Sequence, residues 1–189
     1  MTHRRAYPLT AFVFLVLAGT SAASTVLRMS NEDLAKRANT IFLGKCVEKE
    51  AKAQGSFVVT EYVFEIEDSL KGSAEKGKRF TFKALGGTVG DKGYAISGAP
   101  TYAKDEEVVL FLDQEHPKTG CRHAIGLAQG KFTVKLDPET KKKHLVRDLG
   151  GLTFVDASGK VDEKPAAGEK LELEAFLKEI RGHVEKARK

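Results

Sequence analysis

The segment Gly86-Gly87-Thr88-Val89-Gly90-Asp91-Lys92-Gly93 invites comparison with a phosphate-cradling loop, because its glycines would let backbone amides close on an anion. It lacks the Gly-Lys-Ser or Gly-Lys-Thr ending that sets a lysine and a magnesium-binding hydroxyl at a helix start. It therefore reads as a long flexible connection. A glycine-rich loop at the rim of a sheet is also where a binding surface can be built. The candidate contact residues are Gly86, Gly87, Thr88, Gly90, Lys92, Tyr94, Pro100 and Tyr102.

The other chemically capable residues are scattered. His116, His123, His144 and His183 show none of the paired spacings that place two imidazoles on one metal, so no metal or other cofactor is expected. Cys121-Arg122-His123 brings a thiol and an imidazole close in sequence, but residues two apart on a strand merely share a face. There is no Gly-x-Ser-x-Gly elbow. The acids from Glu61 to Glu67 occupy the polar positions of one alternating segment, which marks a solvated strand face. Tyr62, Phe64, Phe80 and Phe82 could stack bases, but Lys and Arg are not densely interleaved with them, and their alternation makes them core. Lys141-Lys142-Lys143 follows a turn and reads as a solvated hairpin tip.

The elements that must position any site follow from periodicity. Ser30 with Asp33 three residues on is a helix-start signal, flanked by Met29 and Leu34 at the positions of a hydrophobic staple, and predicts a short helix ending near Ala38. Thr40–Glu48 is a first strand. Phe57–Asp68 is a second, with Val58, Thr60, Tyr62, Phe64 and Ile66 alternating against Glu61, Val63, Glu65 and Glu67. Phe80, Phe82 and Ala84 mark a third. The Gly86–Gly98 loop contains a short strand at Tyr94–Ile96. Val108–Leu112 is a continuous apolar run and the most buried strand; Arg122–Ala128 and Lys131–Leu136 add two more, and His144–Asp148 and Leu152–Asp156 are edge strands. Leu173, Phe176, Leu177, Ile180 and Val184 form one stripe of a carboxy-terminal helix. The expected fold is mainly β, an OB-like closed or partly closed barrel with a short N-terminal helix and a C-terminal amphipathic helix.

His3, Arg4 and Arg5, then the apolar run Ala11–Ala18, then Thr20–Ala23 follow the order of a secretory leader, with cleavage expected after Ala23. The apolar run is too short to span a bilayer, so no stable anchor is expected after cleavage. The domain plan is thus a leader at 1–23, a β-barrel domain with its helix at 24–156, a linker at 157–171 rich in Gly, Pro, Ala and charge, and the helix at 172–187. Without the leader, 29 basic residues face 26 acids, a net charge of +3 that does not point to nucleic acid. The expected location is secreted or periplasmic. Cys46 and Cys121, the only cysteines, read in such a compartment as one disulfide. It would close a loop of about 75 residues, stabilising by roughly 4 to 5 kcal/mol. The alternative is two free buried thiols.

Ala38-Asn39-Thr40-Ile41-Phe42-Leu43-Gly44-Lys45, followed by Tyr62-Val63-Phe64-Glu65-Ile66-Glu67-Asp68-Ser69-Leu70-Lys71-Gly72, resembles the opening two strands of the netrin-like module, which includes the tissue inhibitors of metalloproteinases. The chain also resembles exported bacterial proteins with the same Leu-Lys-Gly turn and the strand Glu106–Leu112. The resemblance implies an OB-type barrel that binds proteins. The inhibitors chelate a target's zinc through an N-terminal cysteine, whereas cleavage here would expose Ser24 or Thr25, so no functional residue carries over. The resulting expectation is a non-catalytic exported binding module that recognises a protein partner, such as a secreted protease. The alternatives are an enzyme whose site assembles only in three dimensions, or an envelope structural protein that associates through its last helix.

Overall fold

A computed structural model of the chain describes residues 24–156, 158–162 and 171–188. The expected leader lies outside these residues, as does most of the expected linker. The part of the linker that is described turns back on the sheet: Val161 bridges Val155, and Arg28 Nε donates to Asp162 at 2.6 Å.

The fold is mainly β. Seven strands form one antiparallel sheet in the order β11 (Leu171–Glu172), β9 (Lys143–Val146), β8 (Lys131–Leu136), β7 (Glu107–Leu112), β2 (Thr40–Gln54), β3 (Phe57–Lys71) and β4 (Arg79–Leu85). Two small pairs stand beside it. β1 (Ser24–Leu27) runs parallel to β10 (Leu152–Val155), and β5 (Gly87–Val89) forms a hairpin with β6 (Lys92–Tyr94). The helices are α1 (Asn31–Arg37) and α2 (Leu173–Ala187).

Local chemistry explains these elements. Ser30 Oγ accepts from the Asp33 amide while the Asp33 carboxylate accepts from the Ser30 amide, so both orphan donors of the first turn of α1 are satisfied. β3 alternates as its sequence requires: Val58, Tyr62, Phe64 and Ile66 are buried, and Glu65 and Glu67 are exposed. β2 and β3 pair over their full length with three register shifts, which bend the ribbon. At the bend only glycine fits, because a Cβ on Gly44 would stand 2.8 Å from the Glu65 carbonyl oxygen.

Two cores lie on opposite faces of the sheet. One gathers Leu34, Ile41, Val109, Phe111 and Phe132 with the α2 stripe Leu173, Phe176, Leu177, Ile180 and Val184. The other gathers Phe42, Cys46, Tyr62, Phe64, Phe82, Tyr102, Val108, Leu110 and Leu112. β7 serves both, and every residue from Val108 to Leu112 is fully buried.

Three expectations are corrected. A closed barrel is not what is seen: among the described residues no ladder joins the edge strands β4 and β11. Arg122–Ala128 is not a strand. With Cys121 before it, it touches its neighbours only through single bridges, Lys83 with Cys121 and Leu112 with Ala124, before a 3-10 turn at Leu127–Gly130, because Gly126 and Leu127 take left-handed conformations that a strand cannot hold. There is no disulfide. Cys46 and Cys121 are free and buried. The Cys46 amide bonds Glu106 at the start of β7, whereas the segment after Cys121 is bridged to Leu112 at its far end. Six residues of extended strand rise about 20 Å, and a disulfide needs α-carbons within about 7 Å. Each thiol instead donates to the carbonyl oxygen of a residue two positions away, Glu48 or Thr119.

Candidate functional site

The glycine-rich segment becomes a raised hairpin. Its root lies tight against β3: the Gly86 amide donates to Val58 O at 2.8 Å, and Thr60 Oγ1 donates to Gly86 O at 2.7 Å. Gly87, at φ +135°, allows that approach, since a Cβ there would stand 2.4 Å from Thr60 Oγ1. β5 and β6 then project, turning at Gly90 and Asp91, and carry Val89 and Tyr94 into solvent with 36 % and 41 % of their surface exposed.

Between this hairpin and the segment Ile96–Thr101 lies a groove of about 330 Å³. Gly86, Gly87, Thr88, Tyr94 and Pro100 line it with Leu85 and Ile96. Ala99, Pro100 and Thr101 also wall a second cavity of about 230 Å³, completed by Lys131, Thr133 and Asp148. The segment is pinned rather than loose. Ala128 N donates to Gly98 O at 2.9 Å, Ser24 Oγ to Ser97 O at 2.7 Å, and Lys131 Nζ to Thr101 O at 2.7 Å.

Below the ridge sits a half-buried polar cluster. Glu106 pairs with Lys131 at 2.7 Å, accepts from Thr133 Oγ1 at 2.9 Å and from the Ala103 amide at 2.9 Å. Burial pushes the Glu106 carboxyl up, but the bonds from Lys131, Ala103 and Thr133 together outweigh it and hold the pKa below the usual carboxylate value. Lys131 Nζ also lies 5.3 Å from the Tyr102 ring centroid. Burial pushes the phenols of Tyr62 and Tyr102 and the thiol of Cys46 upward, so none of the three is a ready proton donor or nucleophile.

Of the expected contact residues, five line the groove and two, Gly90 and Lys92, sit exposed at the hairpin turn. Tyr102 is different. It is 2 % exposed, with its ring against Tyr62, Phe64 and Phe82, and supports the ridge from beneath. The histidines stay apart: His116 bonds Thr119, His183 bonds Glu179 on α2, and His144 lies on β9. His123 has a positioned acid, with Asp113 Oδ1 accepting from its amide at 2.6 Å and Oδ2 standing 3.3 Å from Nδ1. Among the described residues no hydroxyl or thiol bonds this ring. Lys143 is occupied by Glu107 at 2.7 Å, and Tyr62, Phe64, Phe80 and Phe82 are packed into a core rather than offered as a stacking surface.

No family model matches the chain, and no curated protein or solved structure is significantly similar to it. The reading therefore rests on the site itself. Sequence reasoning did not find Glu106, Lys131, Thr133 and Asp148. The alternation of Lys131 and Thr133 against the apolar Phe132 and Val134 was the available signal, but the register of Val108 with Thr133 and Leu110 with Lys131, which brings these two side chains within reach of Glu106, is a tertiary fact.

Proposed function

We propose that the chain is an exported binding module whose contact surface is the raised hairpin Gly87–Tyr94 and the ridge Ile96–Thr101, directed at a protein partner such as a secreted protease. The observation that carries the proposal is the groove between the two. Exposed Tyr94 lines an uncharged cleft whose floor is fixed by backbone bonds, and exposed Val89 stands on the same hairpin, the combination of apolar anchors and preset polar groups that peptide-binding surfaces use. Export is supported by the leader-like order of residues 1–23.

An OB-type architecture, as in the netrin-like module, is supported by the two single bridges. With Cys121–Ala124 between β4 and β7, parallel to the first and antiparallel to the second, the circular order β2, β3, β4, 121–124, β7 has the five members of such a barrel. The core around Phe64 would be its interior.

The Asp113–His123 pair favours an enzyme as the second reading, since an oriented imidazole is half of a general-base arrangement. The stripe of α2 is spent on the chain's own sheet, which argues against association through that helix. The test is affinity capture from the producer's periplasm and medium, comparing the unmodified chain with a Val89→Ser, Tyr94→Ser variant. Both side chains are exposed, so the variant keeps its fold. Loss of the captured partner supports the surface; equal retention refutes it, and hydrolysis of a substrate panel that His123→Ala abolishes would favour the enzyme.

A further inference from the structure

Arg147 follows β9 directly, and since Val146 pairs with Thr133, it falls beside Phe132. Its guanidinium carbon stands 4.8 Å from the Phe132 ring centroid. The residue is half-buried, and its nitrogens are not sealed from solvent. Its ring contact aside, Arg147 forms no hydrogen bond or ion pair among the described residues. Arg28 is brought to the same side of the fold by Gln129, which accepts from the Met29 amide at 2.9 Å and donates to Leu27 O at 3.0 Å just ahead of β8. Arg28 stacks 4.2 Å over Phe154 and is held by Asp162 at 2.6 Å. Burial first, and then the charge of Arg28, push the pKa of Arg147 down, as expected of a cation with no counter-charge among the described residues.

An arginine kept charged in a half-buried place, against an aromatic ring and near a second arginine, costs desolvation that a ring face offsets only in part. Its planar fork of donors matches the oxygens of a carboxylate or phosphate. We propose that Arg147 forms a binding site for a small oxyanion, a carboxylate or phosphate group. The site is separate from the hairpin groove and does not depend on the proposed function.

The test is a titration of the isotope-labelled full chain with sodium phosphate and, separately, sodium acetate, against sodium chloride at matched ionic strength, read on arginine side-chain NMR signals. A saturable shift of the Arg147 Nε signal with a Kd of about 10 mM or tighter is expected for one of the two anions, and the tighter one names the source. Arg147→Gln should weaken binding at least about tenfold, and Arg147→Lys, which keeps the charge but not the fork, at least about threefold. If Arg147→Gln does not fold, the lysine variant decides. Shifts that track chloride, or affinity unchanged in Arg147→Lys, would overturn the site. So would a Glu163→Gln, Glu169→Gln variant that binds about tenfold more tightly, because the oxyanion would then belong to the chain itself.

Discussion

Replacing Lys131 by methionine removes one of two charges that the ridge keeps largely from water. The side chains of Lys131 and Glu106 are each 16 % exposed and pair at 2.7 Å. Breaking a buried pair from one side costs about 3 to 5 kcal/mol. Here Glu106 retains bonds from Thr133 and Ala103 and some solvent, so the expected loss is about 2 kcal/mol, or about 1 M in the urea midpoint at pH 7. The pH dependence makes the test sharp. In the native chain the folded carboxyl titrates below its ordinary 4.5, so its contribution is complete above that pH and is lost as pH falls through the lower folded value. Without Lys131 the burial is opposed only by the bonds from Ala103 and Thr133, so the folded pKa is higher than in the native chain, and the variant is relieved at a higher pH as the acid protonates. The difference between the two proteins should therefore be largest near neutrality and shrink towards pH 4. The double variant Lys131→Met, Glu106→Gln should recover part of the loss at pH 7. A loss below about 0.5 kcal/mol, or a difference that does not change between pH 7 and pH 4, would refute the assignment of a stabilising pair.

Three further outcomes follow from the geometry. Gly87→Ala puts a methyl 2.4 Å from Thr60 Oγ1 at a φ of +135°; it should cost about 2 kcal/mol or more and speed amide exchange through 87–94, measured by hydrogen exchange and thermal melting. Cys46 and Cys121 should be inert to a thiol reagent in the native protein and both reactive after denaturation without reductant, with no change in Tm on adding dithiothreitol; a denatured chain lacking reactive thiols would restore the disulfide. Phe176→Ala empties a buried contact whose ring lies 4.6 Å from Phe132 and 6.3 Å from Phe111, and should cost about 3 to 4 kcal/mol in denaturant unfolding.

Much of the β framework was legible because burial acts residue by residue. The alternation from Val58 to Ile66 and the unbroken run Val108–Leu112 are direct imprints of a one-sided and a two-sided strand, and the α2 stripe carries a helical period. The pairing of β1 with β10 was not legible, since Ser24–Leu27 is too short to show a period and its partner lies more than a hundred residues away. Arg122–Ala128 misled because Ala124, and Cys121 just before the segment, touch the neighbouring strands through single bridges while Gly126 and Leu127 break the extended path. Of the rim, the glycines announced a close backbone approach, but which side chains would wall the second cavity depended on the register of β7 with β8. Tyr102 looked like a contact residue by sequence position; its depth comes from three aromatic neighbours supplied by β3 and β4.

The strand β7 has no idle face. Leu110 and Phe111 are consecutive, yet one looks into the aromatic interior and the other towards α2. The two layers on either side of the seven-stranded sheet thus share this strand, and neither can melt without disturbing the other. Probes placed one residue apart on this strand should report the same transition, and any loosening felt beneath the helix is transmitted across a single backbone to the layer that supports the ridge.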